Sequence, residues 1–132
     1  MARTPNQDAG DGAESVVAQR LAAAGWTILG RNVRVGRAEL DILAIDPGPP
    51  AMLVVVEVRR RGRRDFGLAE ETVDHRKRAR LWAAGCVLAS ACRLPDGTAF
   101  PRLSLRLDLV AVEPAAPPER LQIRHHRWVG RG

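Results

Sequence analysis

The feature that most constrains the fold is an uninterrupted apolar run, residues 52–56, which leads directly into the acidic segment Glu57-Val58-Arg59. A strand with one face in water alternates apolar and polar residues, whereas a run without alternation is typical of a strand covered on both faces. The run therefore predicts a central strand over residues 52–60, in a sheet that has layers on both sides. A chain of 132 residues supplies one such core, so we expect a single domain.

Two more extended segments, residues 26–35 and 38–45, precede this central strand. The turn between the second and third segments is short and rich in proline and glycine, Asp46-Pro47-Gly48-Pro49-Pro50. Because a short connection joins neighbouring strands in opposite directions, these two segments are expected to form an antiparallel hairpin at the centre of the sheet.

Helical patterns flank the three strands. Asp11 with Glu14 has the form of a capping box and predicts a first helix over residues 12–24, which Gly25 ends. Apolar residues at helical spacing predict a second helix over residues 73–91. Beyond it, an alternating segment predicts a fourth strand, and a short edge strand is expected before the C-terminus; these segments are residues 103–112 and 121–125.

This order of elements predicts an α/β domain with an αβββαβ core, in which helices flank a mixed central sheet. The expected organisation is a flexible N-terminal arm, one domain and a C-terminal tail, at residues 1–10, 11–128 and 129–132.

Acidic side chains stand inside the apolar strands of the predicted hairpin. The two-residue period of a strand puts Glu39 with Asp41 on one face, and Glu57 with Arg59 on one face of the next strand. An ionised carboxylate in such a place costs several kcal/mol unless a cation compensates it. Oxygen-only clusters suit Mg²⁺, and an adjacent fixed positive charge suits a phosphate, so the pattern points to phosphodiester chemistry. The alternative is that Arg37, Arg59 or another arginine holds each carboxylate in an ordinary ion pair.

The positive charge is clustered and consists almost entirely of arginine. The chain has a net charge of +6, and Lys77 is its only lysine. Clusters over residues 59–64 and 76–80 favour nucleic acid as the partner, although solvated charged surfaces are the alternative. The expected contacts are Arg60, Arg61, Arg63, Arg64, Arg76, Lys77 and Arg80. No segment is apolar enough to cross a bilayer, and residues 1–12 are polar, so we expect a cytoplasmic protein without a membrane partner.

Three motifs carry a resemblance to a known family. They are Gly25-Trp26-Thr27-Ile28-Leu29-Gly30-Arg31-Asn32, Ala38-Glu39-Leu40-Asp41-Ile42-Leu43-Ala44 and Val54-Val55-Val56-Glu57-Val58-Arg59. With them the chain closely resembles the bacterial YraN family, which looks like an offshoot of the PD-(D/E)XK nuclease superfamily and is similar to archaeal Holliday-junction resolvases. The resemblance extends over residues 13–127 and implies a restriction-endonuclease-like fold.

The resemblance also implies roles for individual residues. Asp41 and Glu57 would bind Mg²⁺ or Mn²⁺, Glu39 would be an accessory carboxylate, and Glu14 would be a further candidate ligand. Lys77 matches a helix lysine of the family, and Asp108 matches an aspartate on its late strand. For Glu39 the alternative is a solvated or arginine-paired side chain, and for Glu14 it is an acid that stabilises a helix N-terminus.

Two departures from the family pattern give two functional hypotheses. Ala38 replaces a glycine, and Arg59 replaces the lysine thought to orient or deprotonate the attacking water; arginine binds phosphate but does not give up its proton. The first hypothesis is a metal-dependent endonuclease acting on structured or branched DNA, with Arg59 stabilising the transition state. The second is a nucleic-acid-binding protein that keeps the fold without turnover. DNA is favoured over RNA, and similar resolvases make a homodimer the expectation by analogy.

Overall fold

The computed structural model describes residues 5–60, 75–115 and 120–128, and in these ranges one five-stranded mixed sheet is flanked by two helices. The elements are α1 Pro5–Ala23, β1 Thr27–Val35, β2 Ala38–Asp46, β3 Met52–Arg60, α2 His75–Ala91, β4 Ser104–Ala115 and β5 Arg120–Trp128. This is the predicted α/β class, and the elements follow the predicted αβββαβ order with a fifth strand at the edge.

The apolar run forms the centre of the sheet, as predicted. The strand order is β1-β2-β3-β4-β5, and residues 53–57 of β3 are buried. β2 and β3 form the predicted antiparallel hairpin, while β3 and β4 run parallel because α2 lies on the connection between them.

Each face of the sheet is covered by one helix. The α1 face buries residues that include Val17, Leu21, Ile42, Val54, Val56 and Val110. The α2 face buries residues that include Leu43, Leu53, Val55, Leu81, Leu88 and Leu107. Neither α1 nor α2, the helices of the described residues, is long and apolar enough to cross a membrane.

The first helix starts earlier than its sequence predicts. α1 begins at Pro5 rather than at Gly12, so the predicted capping box lies inside the helix. Proline suits a first helical position because it has no N–H group to leave unpaired there. Glu14 consequently lies in the body of the helix, and stabilisation of a helix N-terminus does not explain it. The domain limits of residues 11–128 stay a prediction.

Gly85 sets how closely α2 approaches the sheet. A Cβ atom at this position would lie 2.9 Å from Leu105 Cδ2 and 2.9 Å from Val55 Cγ2. We expect Gly85→Ala to lower the free energy of unfolding by about 1 kcal/mol, because overpacking outweighs the gain in helix propensity. Gly12→Ala is the control: Gly12 has open space around it within α1 and should gain about 0.5–1 kcal/mol. Urea denaturation measures both, and a stabilising Gly85→Ala would contradict the close approach.

Candidate active site

The register of the central hairpin brings Asp41 and Glu57 together. The pairing of β2 with β3 ends at Ile42 and Val56, and the next residue on each strand is one of the two acids. The Asp41 Oδ2 atom accepts a hydrogen bond from the Val58 backbone N–H at 2.8 Å, which ties its side chain to β3. The hairpin turn is local, so the position of both acids follows from a short stretch of sequence.

Three of the predicted carboxyl groups form a hydrogen-bonded cluster. The side chain of Asp41 bonds to Glu57 and also to Glu14 of α1. Burial raises the pKa of Asp41 to about 9, and the hydrogen bond and negative charge of Glu57 add to the effect. Burial also raises the pKa of Glu14. A hydrogen bond between two carboxyl groups requires a proton on one of them, so the cluster retains a proton at neutral pH.

The chain's only lysine reaches this cluster from the opposite side. Glu57 is 2% exposed, and its Oε2 atom lies 2.7 Å from the Nζ atom of Lys77 on α2. The two groups form an ion pair rather than an aligned hydrogen bond, since the same oxygen has no hydrogen-bond partner. The Lys77 side chain is 31% exposed, so the pair joins the buried acids to solvent.

A small basic groove continues from Lys77 along the surface. It encloses about 210 Å³ between the β1–β2 turn and α2, and Arg37, Glu39, Lys77 and Arg80 line it together with Ala38 and Leu81. Three of these side chains are cationic at neutral pH, so the groove can receive a negatively charged group close to Glu57. Arg37 was expected only as an ion-pair partner of the acids, and its place in this groove follows from the turn at Gly36, which has a φ of 60°.

Other predicted site residues lie at the border of the cluster or outside it. Glu39 is exposed and pairs with Arg34 at 3.3 Å, as the arginine-paired alternative expects. Arg59 is half-buried on β3, two residues beyond Glu57, and Arg60 is exposed at the end of that strand. Arg76 and Arg80 are exposed on α2, while Arg61, Arg63 and Arg64 lie outside the described residues.

The acid cluster has the oxygen atoms that a divalent cation requires, but they are not spread around a common centre. Among residues 5–60, 75–115 and 120–128, no three acidic, histidine or cysteine side chains are arranged to hold a metal ion. Two buried oxygens of the cluster, Glu14 Oε2 and Glu57 Oε2, have no hydrogen-bond partner. The donor set therefore fits a hard cation in its chemistry, and binding would require Asp41 and Glu57 to exchange their mutual hydrogen bond for contacts to the ion.

A second charged cluster lies beneath α1 and is centred on Arg106. It was not predicted from the sequence. The Nη2 atom of Arg106 donates to Asp46 Oδ2 at 2.9 Å and to Asp108 Oδ2 at 2.9 Å, and its Nε atom donates to Asp108 Oδ1 at 2.8 Å. His125 Nε2 lies 2.7 Å from the same Asp108 carboxylate. Asp108 is fully buried and thus belongs to this network. The alternation of β4 put Arg106 on the same face as Asp108, a signal that would have identified the pair.

Family comparison agrees with the motifs of the central hairpin. The family model described as "Uncharacterised protein family UPF0102" matches residues 13–112, a range that contains α2, the acid cluster and the first four strands up to Val112. The chain belongs to this family. UPF0102 is the YraN family, so the resemblance carried by the three motifs is confirmed.

Individual UPF0102 members align with most of the chain. A UPF0102 protein of Roseiflexus castenholzii is 37% identical over 116 residues, which cover 88% of this chain and 87% of the relative. One from Symbiobacterium thermophilum is 38% identical over 115 residues, covering 87% and 89% respectively. Among solved structures, Pyrococcus furiosus SfsA in complex with Ca²⁺ is similar, with a TM-score of 0.39 and 14% identity over 93% of this chain and 64% of that one. This similarity is too weak to assign a ligand or an activity to the UPF0102 chain.

Proposed function

We propose that this UPF0102 protein is a metal-dependent endonuclease that hydrolyses phosphodiester bonds in structured or branched DNA. The observation that carries the proposal is the pair Asp41 and Glu57, a half-buried and a buried acid that interact at the end of the central hairpin, with Lys77 beside Glu57. Buried carboxyl groups with perturbed pKa values beside a basic groove are typical of active sites, because a purely structural role rarely compensates their cost.

Mg²⁺ or Mn²⁺ is the cofactor that suits these residues. Asp41 and Glu57 would hold the ion, and Glu14, whose Oε2 atom lies 3.7 Å from Arg31 Nη2, is placed to bind through that oxygen or to orient Asp41. When bound, such an ion polarises the scissile phosphate and lowers the pKa of a water molecule. A bound cation would also neutralise the clustered acids, which otherwise must share protons.

We assign to Lys77 the role of the motif lysine that Arg59 replaces in this chain. Arg59 keeps its proton under all ordinary conditions, so it is suited to bind the phosphate and to stabilise negative charge in the transition state. Lys77 brings an ammonium group within 2.7 Å of Glu57 from a different element. An ammonium group at this place can orient the attacking water and stabilise the negative charge that develops on the phosphate.

The groove next to Lys77 is the proposed path of the DNA backbone. Arg37 and Arg80 line it, and Arg76 lies on the same helix, so the chain offers phosphate contacts on both sides of the cleavage site. Binding through phosphates selects nucleic acid by shape, which suits branched substrates better than defined sequences. The predicted contacts Arg61, Arg63 and Arg64 follow Arg60 directly in the sequence.

The proposal predicts Mg²⁺- or Mn²⁺-dependent cleavage of labelled DNA. Four-way junctions, flaps and single strands should be cut by the wild-type protein, and Asp41→Ala should reduce cleavage below detection because it removes a metal ligand. Lys77→Met should lower the rate on the order of 10²- to 10³-fold, the usual range for loss of one group that stabilises charge in the transition state. Lys77→Arg should restore the rate only in part, because a guanidinium keeps the charge but not the compact ammonium geometry beside Glu57.

Controls separate the site from a contaminating nuclease and from misfolding. Asp96→Asn removes one exposed carboxylate outside the basic groove, keeps an acceptor for the Thr98 N–H, and should leave cleavage within about threefold of wild type. Equal cleavage by wild type and Asp41→Ala would show that the activity comes from elsewhere.

Arg59 supports a second candidate function, that of a DNA-binding protein without turnover. In that case the wild-type protein would bind branched DNA with a steep salt dependence, and added Mn²⁺ would produce no cleavage. Arg59→Lys would then be the variant to gain cleavage, whereas cleavage by the wild-type protein excludes this second function.

A further inference from the structure

A pocket on the α1 side of the sheet has no part in the chemistry proposed above. It encloses about 310 Å³ between the second half of α1 and β5, and it is lined by Arg20, Leu21, Trp26, Ile123, His125 and Arg127 among others. We call it the Trp26 pocket. Its volume is at the lower end of the range for small-molecule sites, and it combines an apolar floor with a few polar groups, the usual composition of a ligand site.

The buried Arg106 network holds the aromatic side chains of the Trp26 pocket in place. His125 Nε2 lies 2.7 Å from Asp108, which Arg106 fixes in turn through two hydrogen bonds. The Arg106 guanidinium also lies 5.5 Å from the centroid of the Trp26 ring. The Trp26 and His125 rings are 5.7 Å apart at an interplanar angle of 55°. Trp26 is 8% exposed and forms the floor of the pocket, whereas His125 is exposed beside it, so the two rings offer a preorganised surface against which a third planar ring can pack.

Charge at the mouth of the pocket is positive. Arg20 and Arg127 are both exposed there, and the side chain of Arg127 is 59% exposed, 4.0 Å from Asp46. Arginine recognises phosphate through a planar fork of donors, and aromatic rings accept nucleic-acid bases because each base has an apolar face. An aromatic wall with arginines at its edge thus matches a ligand that carries one ring and one phosphate.

The Trp26 pocket and the acid cluster lie along the same helix. Glu14 contacts the cluster, while Arg20 and Leu21 line the pocket. Six to seven residues of α-helix span about 9–10 Å. A nucleic-acid strand covers that distance in a few nucleotides.

We propose that the Trp26 pocket binds one unpaired nucleotide of the DNA substrate, with the base against Trp26 and His125 and the phosphate between Arg20 and Arg127. This inference rests on the proposed function and adds a specificity to it: the protein selects DNA with an unpaired nucleotide a few positions from the phosphate that is cut. A fully paired end offers no free base for the pocket.

The first test uses the full-length protein and dAMP, followed through the indole N–H signals in ¹⁵N-correlated NMR spectra. The Trp26 signal should move on titration, while that of Trp82, on the opposite face of the sheet, should stay in place; Trp82→Phe and Trp128→Phe assign the three indole signals of the protein. The double variant Arg20→Gln with Arg127→Gln should bind dAMP at least tenfold more weakly, since each arginine–phosphate contact is worth roughly one such factor. The matched control is Arg93→Gln with Arg102→Gln, which removes two exposed arginines elsewhere and should bind as wild type.

Deoxyadenosine and inorganic phosphate, each titrated alone, should bind at least tenfold more weakly than dAMP. Three results would overturn the proposal. They are binding of deoxyadenosine or phosphate as tight as that of dAMP, a Trp26 signal that does not move, and unchanged dAMP binding by the double variant.

A second test separates a nucleotide within a strand from a free mononucleotide. Duplex DNA with a one-nucleotide flap should bind at least fivefold more tightly than the blunt duplex, and the double variant Arg20→Gln with Arg127→Gln should lose this preference. If dAMP binds but the flap gives no preference, the ligand is a free mononucleotide and the strand-binding proposal is wrong. If the wild-type protein binds no DNA, the proposed function is wrong. If it binds duplex DNA but the Trp26 pocket binds neither dAMP nor the flap, only the proposal for the pocket is wrong.

Discussion

Asp41→Asn is expected to make the protein more stable than wild type at neutral pH by about 2–4 kcal/mol, although it removes a proposed metal ligand. The pKa of Asp41 is about 9 in the fold against an ordinary value of 3.8, so the folded state holds a proton that the unfolded chain releases. A raised carboxyl pKa gives stability that is present below pH 3.8 and is lost progressively as the pH rises toward 9. Asparagine keeps an acceptor for the Val58 N–H and removes this loss.

Urea denaturation of both proteins at pH 4, 6 and 8 measures the effect. The difference in unfolding free energy should be near zero at pH 4 and should grow by at most about 1.4 kcal/mol per pH unit. Glu39→Gln is the matched control, because it removes one exposed carboxylate nearby and should change stability by less than about 0.5 kcal/mol at any pH. A constant difference between pH 4 and pH 8 would contradict the raised pKa.

Metal binding offers a second measurement on the same pair of proteins. Binding of Mg²⁺ or Mn²⁺ to the acid cluster must displace its shared proton, so the wild-type protein should release protons and gain thermal stability when the ion is added. Asp41→Asn should do neither. An equal stabilisation of both proteins would place the ion elsewhere on the molecule.

Arg106→Met is expected to lower the free energy of unfolding by about 3–5 kcal/mol, the largest loss predicted for any substitution outside the acid cluster. Arg106 is the cation at the centre of a buried network, and its removal takes the charged donor away from both Asp108 and Asp46 under α1, although His125 still contacts Asp108. Breaking a buried ion pair from one side costs far more than the pair contributes, because the remaining charge stays desolvated. Urea denaturation or, for a protein that no longer folds, the loss of a cooperative transition measures the effect.

The partner substitution tests this explanation. Arg106→Met combined with Asp108→Asn should recover at least half of the loss, since the second change removes the charge that the first left unpaired.

The network also has a defined pH dependence. Burial alone would raise the pKa of Asp46, but hydrogen bonds from the Gly48 N–H and from Arg106 hold it below 3.8. The contribution of Asp46 to the free energy of unfolding is therefore present above pH 3.8 and is lost as the pH falls further. A decrease of less than 1 kcal/mol in the unfolding free energy of Arg106→Met would contradict the network.

Secondary structure was predictable because its signals are local. The apolar run of β3, the Pro/Gly turn before it and the helical spacing of α2 each occupy fewer than twenty residues, and the structure has all three close to the expected bounds. The start of α1 was not predictable in the same way. Two signals compete within ten residues there, Pro5 and the Asp11–Glu14 pair, and the helix follows the first of them.

In the candidate site, too, the contacts that local sequence determines were predictable and the contacts between distant elements were not. Asp41 and Glu57 were predicted to meet, and they do, because a short hairpin fixes which residues of its two strands stand side by side. Glu39 lies on the same strand as Asp41 but pairs with Arg34, because Arg34 of β1 stands opposite it in the register and the position is exposed. The contact of Lys77 with Glu57 joins residues twenty positions apart across a segment whose path the sequence leaves open.

What the sequence determined by itself is the central hairpin, its two acids and the helices that cover it, because these depend on periodicity and turn chemistry within short windows. Only the tertiary structure decided which cations reach those acids and that a charged network and a pocket lie beneath α1. Arg106 and Asp46 are 60 residues apart, and no local pattern links them. Their contact exists because β4 lies beside β3 after the α2 crossover, and this packing of distant elements specifies the partner of each buried charge.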